Sequence, residues 1–187
     1  MEISTRRFRA RPSAVSFDAI GMLSPLPSIL NRFWLDMPCF SNAATALARH
    51  VGGSVSAFVD LMNTRAQELG LAETHFANPH GLDATGHTSS AADLLTLTRQ
   101  LWHSALFRQI VATQSTEVAG HSLRNTNELL GLDNRTNGVK TGTTDLAGQC
   151  LVAGLQDDGH QIFVIVLNSR DRYADTQALI TYYTTHY

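Results

Sequence analysis

Apolar residues recur at helical spacing through much of the first two thirds of the chain and then switch to short continuous runs. Asn42 to His50 reads as a short alanine-rich helix that Gly52-Gly53 ends, with Ser54 placed to cap the next one. Val55, Phe58, Val59, Met62, Ala66 and Leu69 follow at three- and four-residue steps, so one face of that second helix is apolar, and Gly70 is a C-terminal stop. From Leu71 to Ser89 the pattern is loop-like, with Asn78-Pro79-His80-Gly81 as turn chemistry. Ser90 and Asp93 form a capping-box-like start, followed by Leu94, Leu95, Thr98, Leu101 and Trp102 on one helical face. A further helix is predicted around Leu106 to Ala112.

After Thr113 the period changes. Short strands are predicted near Thr116–Ala119 and Ser122–Arg124, and stronger ones over Gly148–Leu155 and Gln161–Leu167, joined by the hairpin signal Asp157-Asp158-Gly159. Ile162 to Leu167 is continuously apolar, as in a central strand covered on both faces. The chain closes with a helix from Arg172, with Ala178, Leu179, Tyr182 and Tyr183 predicted to pack inward. Helices precede strands instead of alternating with them, so the class is α+β, with an antiparallel sheet packed by helices. Residues 1–28 show no persistent period and contain three prolines, which predicts irregular structure.

Composition narrows the chemistry. At 187 residues, 43% hydrophobic and 16% charged, the chain reads as globular, and a net charge of −2 gives no reason to expect nucleic acid or an anionic membrane. Arg6, Arg7, Arg9 and Arg11 resemble a signal-peptide n-region, but Pro25 and Pro27 break the only candidate apolar stretch, Ala19 to Leu30, so no signal peptide is predicted. Two cysteines, Cys39 and Cys150, make no disulfide framework, and Cys150 in an apolar strand reads as a small buried hydrophobe. The eight histidines lack metal-ligand spacing, so neither a metal nor another cofactor is predicted.

Lys140 is the only lysine. It lies in Lys140-Thr141-Gly142-Thr143, leading toward the apolar run that begins at Leu151. At a strand edge the ammonium supplies a point charge for a carboxylate, and the threonine hydroxyl supplies a hydrogen bond. The glycine lets a peptide backbone approach as an added strand, and the Thr143 amide is placed to donate into an oxyanion hole. Elsewhere, His80 and Asp83 have the composition of an acid–base pair but sit in a turn, where bonding the loop to itself is the expectation. Asn125 and Asn127 read as polar loop residues that alternatively line a cleft.

Gly138-Val139-Lys140-Thr141-Gly142-Thr143-Thr144-Asp145-x-Ala147-Gly148 resembles the third motif of the D-alanyl-D-alanine carboxypeptidases, the low-molecular-mass penicillin-binding proteins. Leu69-Gly70-Leu71, His80-Gly81-Leu82-Asp83, Ser89-Ser90-Ala91-x-Asp93-Leu94 and Arg124-Asn125-Thr126-Asn127-x-Leu129-Leu130 are similar to further blocks of that family, in its order. The resemblance runs from about Cys39 to Tyr187. It implies a β-lactamase/DD-peptidase-like domain over 39–187: a helical part, then antiparallel strands and a closing helix, preceded by an atypical segment 1–38. It also implies serine-type removal of the terminal D-alanine from peptidoglycan stem peptides ending in D-Ala-D-Ala, outside the cytoplasmic membrane, with β-lactams as further ligands. Lys140 and Thr141 would hold the substrate carboxylate, beside Gly142, and Thr143 would supply an oxyanion amide.

Two family motifs are altered or missing. Ser-x-Asn maps onto Cys39-Phe40-Ser41, or onto Ser41 and Asn42 with a residue deleted; alternatively Ser41 is only the cap of the following helix. Cys39, Ser41 and Asn42 are thus the candidate catalytic residues. Ser-x-x-Lys, which places a nucleophile and its base on one helix face, is absent by arithmetic, because Lys140 is already used. The expectation is a chain impaired in catalysis. The alternatives are a non-catalytic relative that binds peptidoglycan or β-lactams, and a mis-started gene product lacking the first sheet strands.

Overall fold

The computed structural model describes residues 40–118 and 120–187; the segment 1–38 read as atypical, and Cys39, lie outside the described residues. Helix α1 spans Phe40–Gly52 and α2 spans Val55–Glu68. Ser54 caps α2 by accepting the Ala57 amide at 3.1 Å. Gly52 is required by proximity, since a Cβ there would lie 2.7 Å from the Phe58 backbone nitrogen. Gly70, at φ +70°, ends the second helix as its sequence predicts. One correction falls on Ser41: α1 begins at Phe40, so Ser41 stands within the first turn and is not the cap. Its carbonyl accepts the Thr45 hydroxyl at 2.7 Å.

Phe58, Met62 and Ala66 of α2 pack with Ala48, Leu71, Phe76 and Leu97 into a first core. The irregular stretch that follows is tied down by side chains. Asn63 bonds both the amide and the carbonyl of Phe76 at 2.8 Å, and His75 pairs with Thr88 as an isolated bridge. Helix α3 (Ala91–Trp102) starts at the predicted cap Ser90, which accepts from the Asp93 amide at 3.3 Å. The Asp93 carboxylate does not return to Ser90. It crosses to the Glu73 amide (2.8 Å) and the Thr74 hydroxyl (2.7 Å), fastening the loop to the helix. Helix α4 (Ala105–Ala112) is capped by Ser104.

A polar hairpin follows, β1 (Ser115–Val118) with β2 (His121–Arg124), then the short helix α5 (Leu129–Leu132). Three long strands, β3 (Thr136–Thr144), β4 (Gly148–Asp157) and β5 (His160–Ser169), form an antiparallel sheet in the order β3-β4-β5. The β4–β5 turn is the predicted two-residue hairpin: Asp158 and Gly159 both have positive φ, 44° and 76°, as a type I′ turn demands. Helix α6 (Arg172–His186) closes the described fold, capped by Asp171.

Pleat alternation gives the sheet two covered faces. Leu151, Ala153, Leu155, Val164 and Val166 meet Ile180 of α6 and Leu129 of α5 in a second core. On the other face Trp102 meets Phe163 edge-on at 5.0 Å, and Val111 of α4 packs against Gly138. Leu151 and Leu155 are fully buried, worth roughly 1.5–3 kcal/mol each.

Three expectations shift. Among the described residues the central strand is β4, not β5, although β5 does carry the continuous apolar run. The Lys140 motif lies inside a nine-residue strand of its own and does not merely lead toward one. In α6 the buried positions are Thr176 and Ile180; Ala178, Leu179 and Tyr182 are exposed and Tyr183 is half-buried. The inward face is set by the phase of Tyr173, Thr176 and Ile180, a 3–4 spacing in which a threonine takes a core position.

Candidate functional site

Strand β3 is an edge of the sheet among the described residues, with β4 on one side only. Lys140 pairs with Val152, Thr141 with Leu151, Gly142 with Cys150 and Thr143 with Gln149, so the whole motif is held in antiparallel register. Val139 and Thr141 are buried, Lys140 and Gly142 half-buried, and Thr143 exposed. The Lys140 ammonium donates to the Thr141 carbonyl at 2.5 Å. The Thr141 hydroxyl lies 2.6 Å from that of Thr126, which arrives on the exposed turn before α5. An ammonium, two coupled hydroxyls and an edge strand are what a peptide ending in a carboxylate needs: charge, donors and a backbone to pair with.

Four side chains outside the motif hold it in place. Arg172, the first residue of α6, donates through Nη1 to the carbonyls of Gly142 (2.9 Å) and Cys150 (3.1 Å) and through Nε to the Gln149 side chain (3.2 Å). Its Nη2 also donates to the Thr143 hydroxyl. This fork grips both strands where the β4–β5 register slips between Gln149 and Leu151. Next to it, Tyr173 donates its hydroxyl to the Thr126 carbonyl at 2.9 Å. Asn127, 2% exposed, donates to the Gly138 carbonyl at 3.0 Å. Asp83 accepts from the Thr144 hydroxyl (2.7 Å) and the Leu146 amide (3.1 Å), so the loop at 71–89 is clamped to the β3–β4 turn.

These contacts decide several sequence expectations. Asp83 does not close its own loop; its partners are more than sixty residues away in the chain. His80 does bond locally, accepting the Leu82 amide at 3.3 Å. Asn125 and Asn127 bond backbone groups, with Asn125 donating to the Thr113 carbonyl at 3.0 Å. Arg172 and Tyr173 were invisible as site residues, since at the start of a helix they read as ordinary surface positions. Of the three candidate catalytic residues, Ser41 and Asn42 lie in the first turn of α1, which packs mainly on α2, and Cys39 is outside the described residues.

Charge at the far end of β3 is structural. Arg135 binds Asp133 at 2.8 Å and Asp157 at 3.2 Å, and these carboxylates hold the guanidinium pKa well above its usual range. The Arg135 hydrogen bond in turn holds the Asp133 carboxyl below its ordinary value of 3.8. Burial pushes the Cys150 thiol up, away from reactivity. Among the described residues there is no cluster of three or more metal-ligating side chains, and no helix is long and apolar enough to cross a membrane.

The sequence profile of the D-alanyl-D-alanine carboxypeptidases matches residues 37–171. Two such enzymes of Escherichia coli are similar: DacC is 36% identical over 148 residues, covering 76% of this chain, and DacA is 35% identical over 181 residues, covering 91%. The chain spans 37% and 43% of those relatives' lengths. Penicillin binding protein 6B from E. coli superposes with a TM-score of 0.70 at 34% identity, over 75% of this chain and 46% of that one. Its likeness identifies the helices and antiparallel sheet as an α+β fold of the β-lactamase/DD-peptidase kind. A profile matched across most of the chain, with its lysine motif on an edge strand of that fold, leaves one assignment: the chain belongs to the D-alanyl-D-alanine carboxypeptidase family.

Proposed function

We propose that residues 39–187 form the recognition half of a serine-type D-Ala-D-Ala carboxypeptidase site, which binds peptidoglycan stem peptides by their terminal carboxylate outside the cytoplasmic membrane. The observation that carries this reading is Lys140 and Thr141 on an edge strand, with the Thr126 hydroxyl 2.6 Å from that of Thr141. The peptide would lie along β3, its carboxylate received by the Lys140 ammonium and the threonine hydroxyls. Gly142 lets its backbone approach, and the Thr143 amide donates to the scissile carbonyl oxygen.

Hydrolysis through an acyl-enzyme needs an activated hydroxyl as well. Lys140 is the only lysine in the sequence; engaged with the carboxylate it cannot also serve as the base of a Ser-x-x-Lys pair, and the residue three positions before it is Asn137, not a serine. Ser41 and Asn42 retain hydroxyl and amide groups at the second-motif position, but neither is a base able to activate a nucleophile. We therefore assign Lys140–Thr143 the recognition of D-Ala-D-Ala peptides and β-lactams, with the nucleophile and its base not among them.

Incubation with a fluorescent penicillin followed by denaturing electrophoresis is expected to give no labelled band, while titration with an N-acetylated peptide ending in D-Ala-D-Ala is expected to show saturable binding. Lys140→Ala should weaken that binding about tenfold or more, from loss of a charge-assisted contact. A covalent band would establish a nucleophile and overturn the assignment; no binding at millimolar peptide would remove the recognition role.

A further inference from the structure

We propose that Tyr173 is a positioning residue for carboxylate recognition: its hydroxyl locks the Thr126 turn so that Thr126 and Thr141 act as one donor pair. The inference rests on the recognition reading given above and adds to it a residue from α6.

Proton counting makes the pair informative. Two hydroxyls 2.6 Å apart carry two protons, and one is used between them. The other remains for an outside acceptor, and a hydroxyl that accepts a hydrogen bond is a stronger donor. Thr141 is fixed by the β3–β4 ladder, whereas Thr126 is exposed and belongs to a turn outside any helix or strand. The geometry of the pair therefore depends on what holds that turn.

Two anchors do so. Asn127 ties it to β3 through the Gly138 carbonyl at 3.0 Å. Tyr173 ties it to α6: Oη donates to the Thr126 carbonyl at 2.9 Å and accepts the Glu128 amide at 3.2 Å, bridging the turn from one side to the other. The ring packs against the second core and lies 5.8 Å from the guanidinium carbon of Arg172. Consecutive residues of α6 thus grip both components of the site, Arg172 the lysine strand and Tyr173 the threonine turn.

The test uses Tyr173→Phe, which keeps the ring and removes only the bridging oxygen. Full-length wild type, Tyr173→Phe, Thr126→Val and the double variant are titrated with an N-acetylated D-Ala-D-Ala peptide and with its C-terminal carboxamide. Wild type should prefer the carboxylate, and Tyr173→Phe should lower that preference roughly threefold to tenfold, the span of one modest hydrogen bond. The double variant should be no worse than Thr126→Val alone, because both substitutions act through the same hydroxyl. A purely structural tyrosine would weaken both peptides equally or act additively with Thr126→Val, and either result overturns the proposal. So does an unchanged preference in Thr126→Val, whose exposed site makes it informative even if Tyr173→Phe loses stability. A wild type that does not distinguish the two peptides removes the recognition reading itself, an outcome separate from a discriminating wild type with an indifferent Tyr173→Phe.

Discussion

Replacing Arg172 by methionine tests whether the guanidinium holds the lysine strand in place. Methionine keeps an unbranched stem and removes donors that serve the Gly142 and Cys150 carbonyls, the Gln149 side chain and the Thr143 hydroxyl. Bonds from a charged donor are worth about 1.5–3 kcal/mol each where water is excluded, so the two carbonyls alone set an upper bound near 6 kcal/mol. Arg172 is half-buried, and the Gln149 and Thr143 groups find water once it leaves. We therefore expect about 2 kcal/mol, most of it from the Cys150 carbonyl, whose residue is only 3% exposed. With a urea slope of about 2 kcal/mol/M for a protein of this size, the unfolding midpoint should fall by about 1 M. Arg172→Lys should recover less than half, since a point charge cannot serve two carbonyls and a side-chain amide in one plane. Amide exchange supplies the local readout: Gly142 and Thr143 should exchange faster, and the centre of β4 should not change. A midpoint within about 0.2 M of wild type, or lysine performing as well as arginine, would refute the fork as the restraint on β3.

Two further perturbations act on other supports of the fold. Asp83→Ala removes the acceptor for Thr144 and Leu146 and should cost about 1–3 kcal/mol, with protease cleavage appearing first within 71–89; uniform protection of that loop would show that the clamp is not what holds it. Asp133, held below its ordinary pKa by Arg135, contributes stability that is present above about pH 4 and lost as pH falls through its lowered folded value. The urea-midpoint gap between wild type and Asp133→Asn should therefore close as pH falls below about 4 through the lowered folded value, and a gap independent of pH would contradict the linkage.

The fold was legible wherever local chemistry decides. Ser54 and Ser90 cap helices within reach of their own backbone, and Asp158-Gly159 dictates a hairpin with no outside help. Legibility fell where a residue's partner is remote. Asp93 looks like half of a capping box and instead fastens Glu73 and Thr74; Asp83 looks like a turn residue and reaches Thr144. Strand β3 was hard to see because Gly138, Gly142 and several threonines give it no hydrophobic alternation. In α6 hydrophobicity favoured Leu179 and Tyr182, but the sheet admits the face bearing Thr176 and Ile180. For the candidate site, the lysine motif stood out in the sequence as a candidate, whereas its contacts with Arg172, Tyr173 and Thr126 required knowing that α6 begins beside β3.

The supports of the lysine strand bear on the proposed recognition role. Arg172, the Thr126 turn, Asn127 and Asp83, which support Lys140–Thr143 and its neighbours in β3, all lie between residues 83 and 173. None of these contacts uses Ser41 or Asn42. A strand held this way is ordered without the residues of α1, so the proposed recognition surface is pre-organised independently of them. Interactions made equally with bound peptide and transition state give affinity without rate, and rate requires a group that acts only as the bond changes. In the proposed reading the lysine strand supplies the first kind through the ammonium and hydroxyls, and Thr143 supplies part of the second through its amide. An oxyanion donor acts only once a nucleophile has generated the oxyanion, so under the proposed reading the Thr143 amide contributes to rate and not to ground-state affinity.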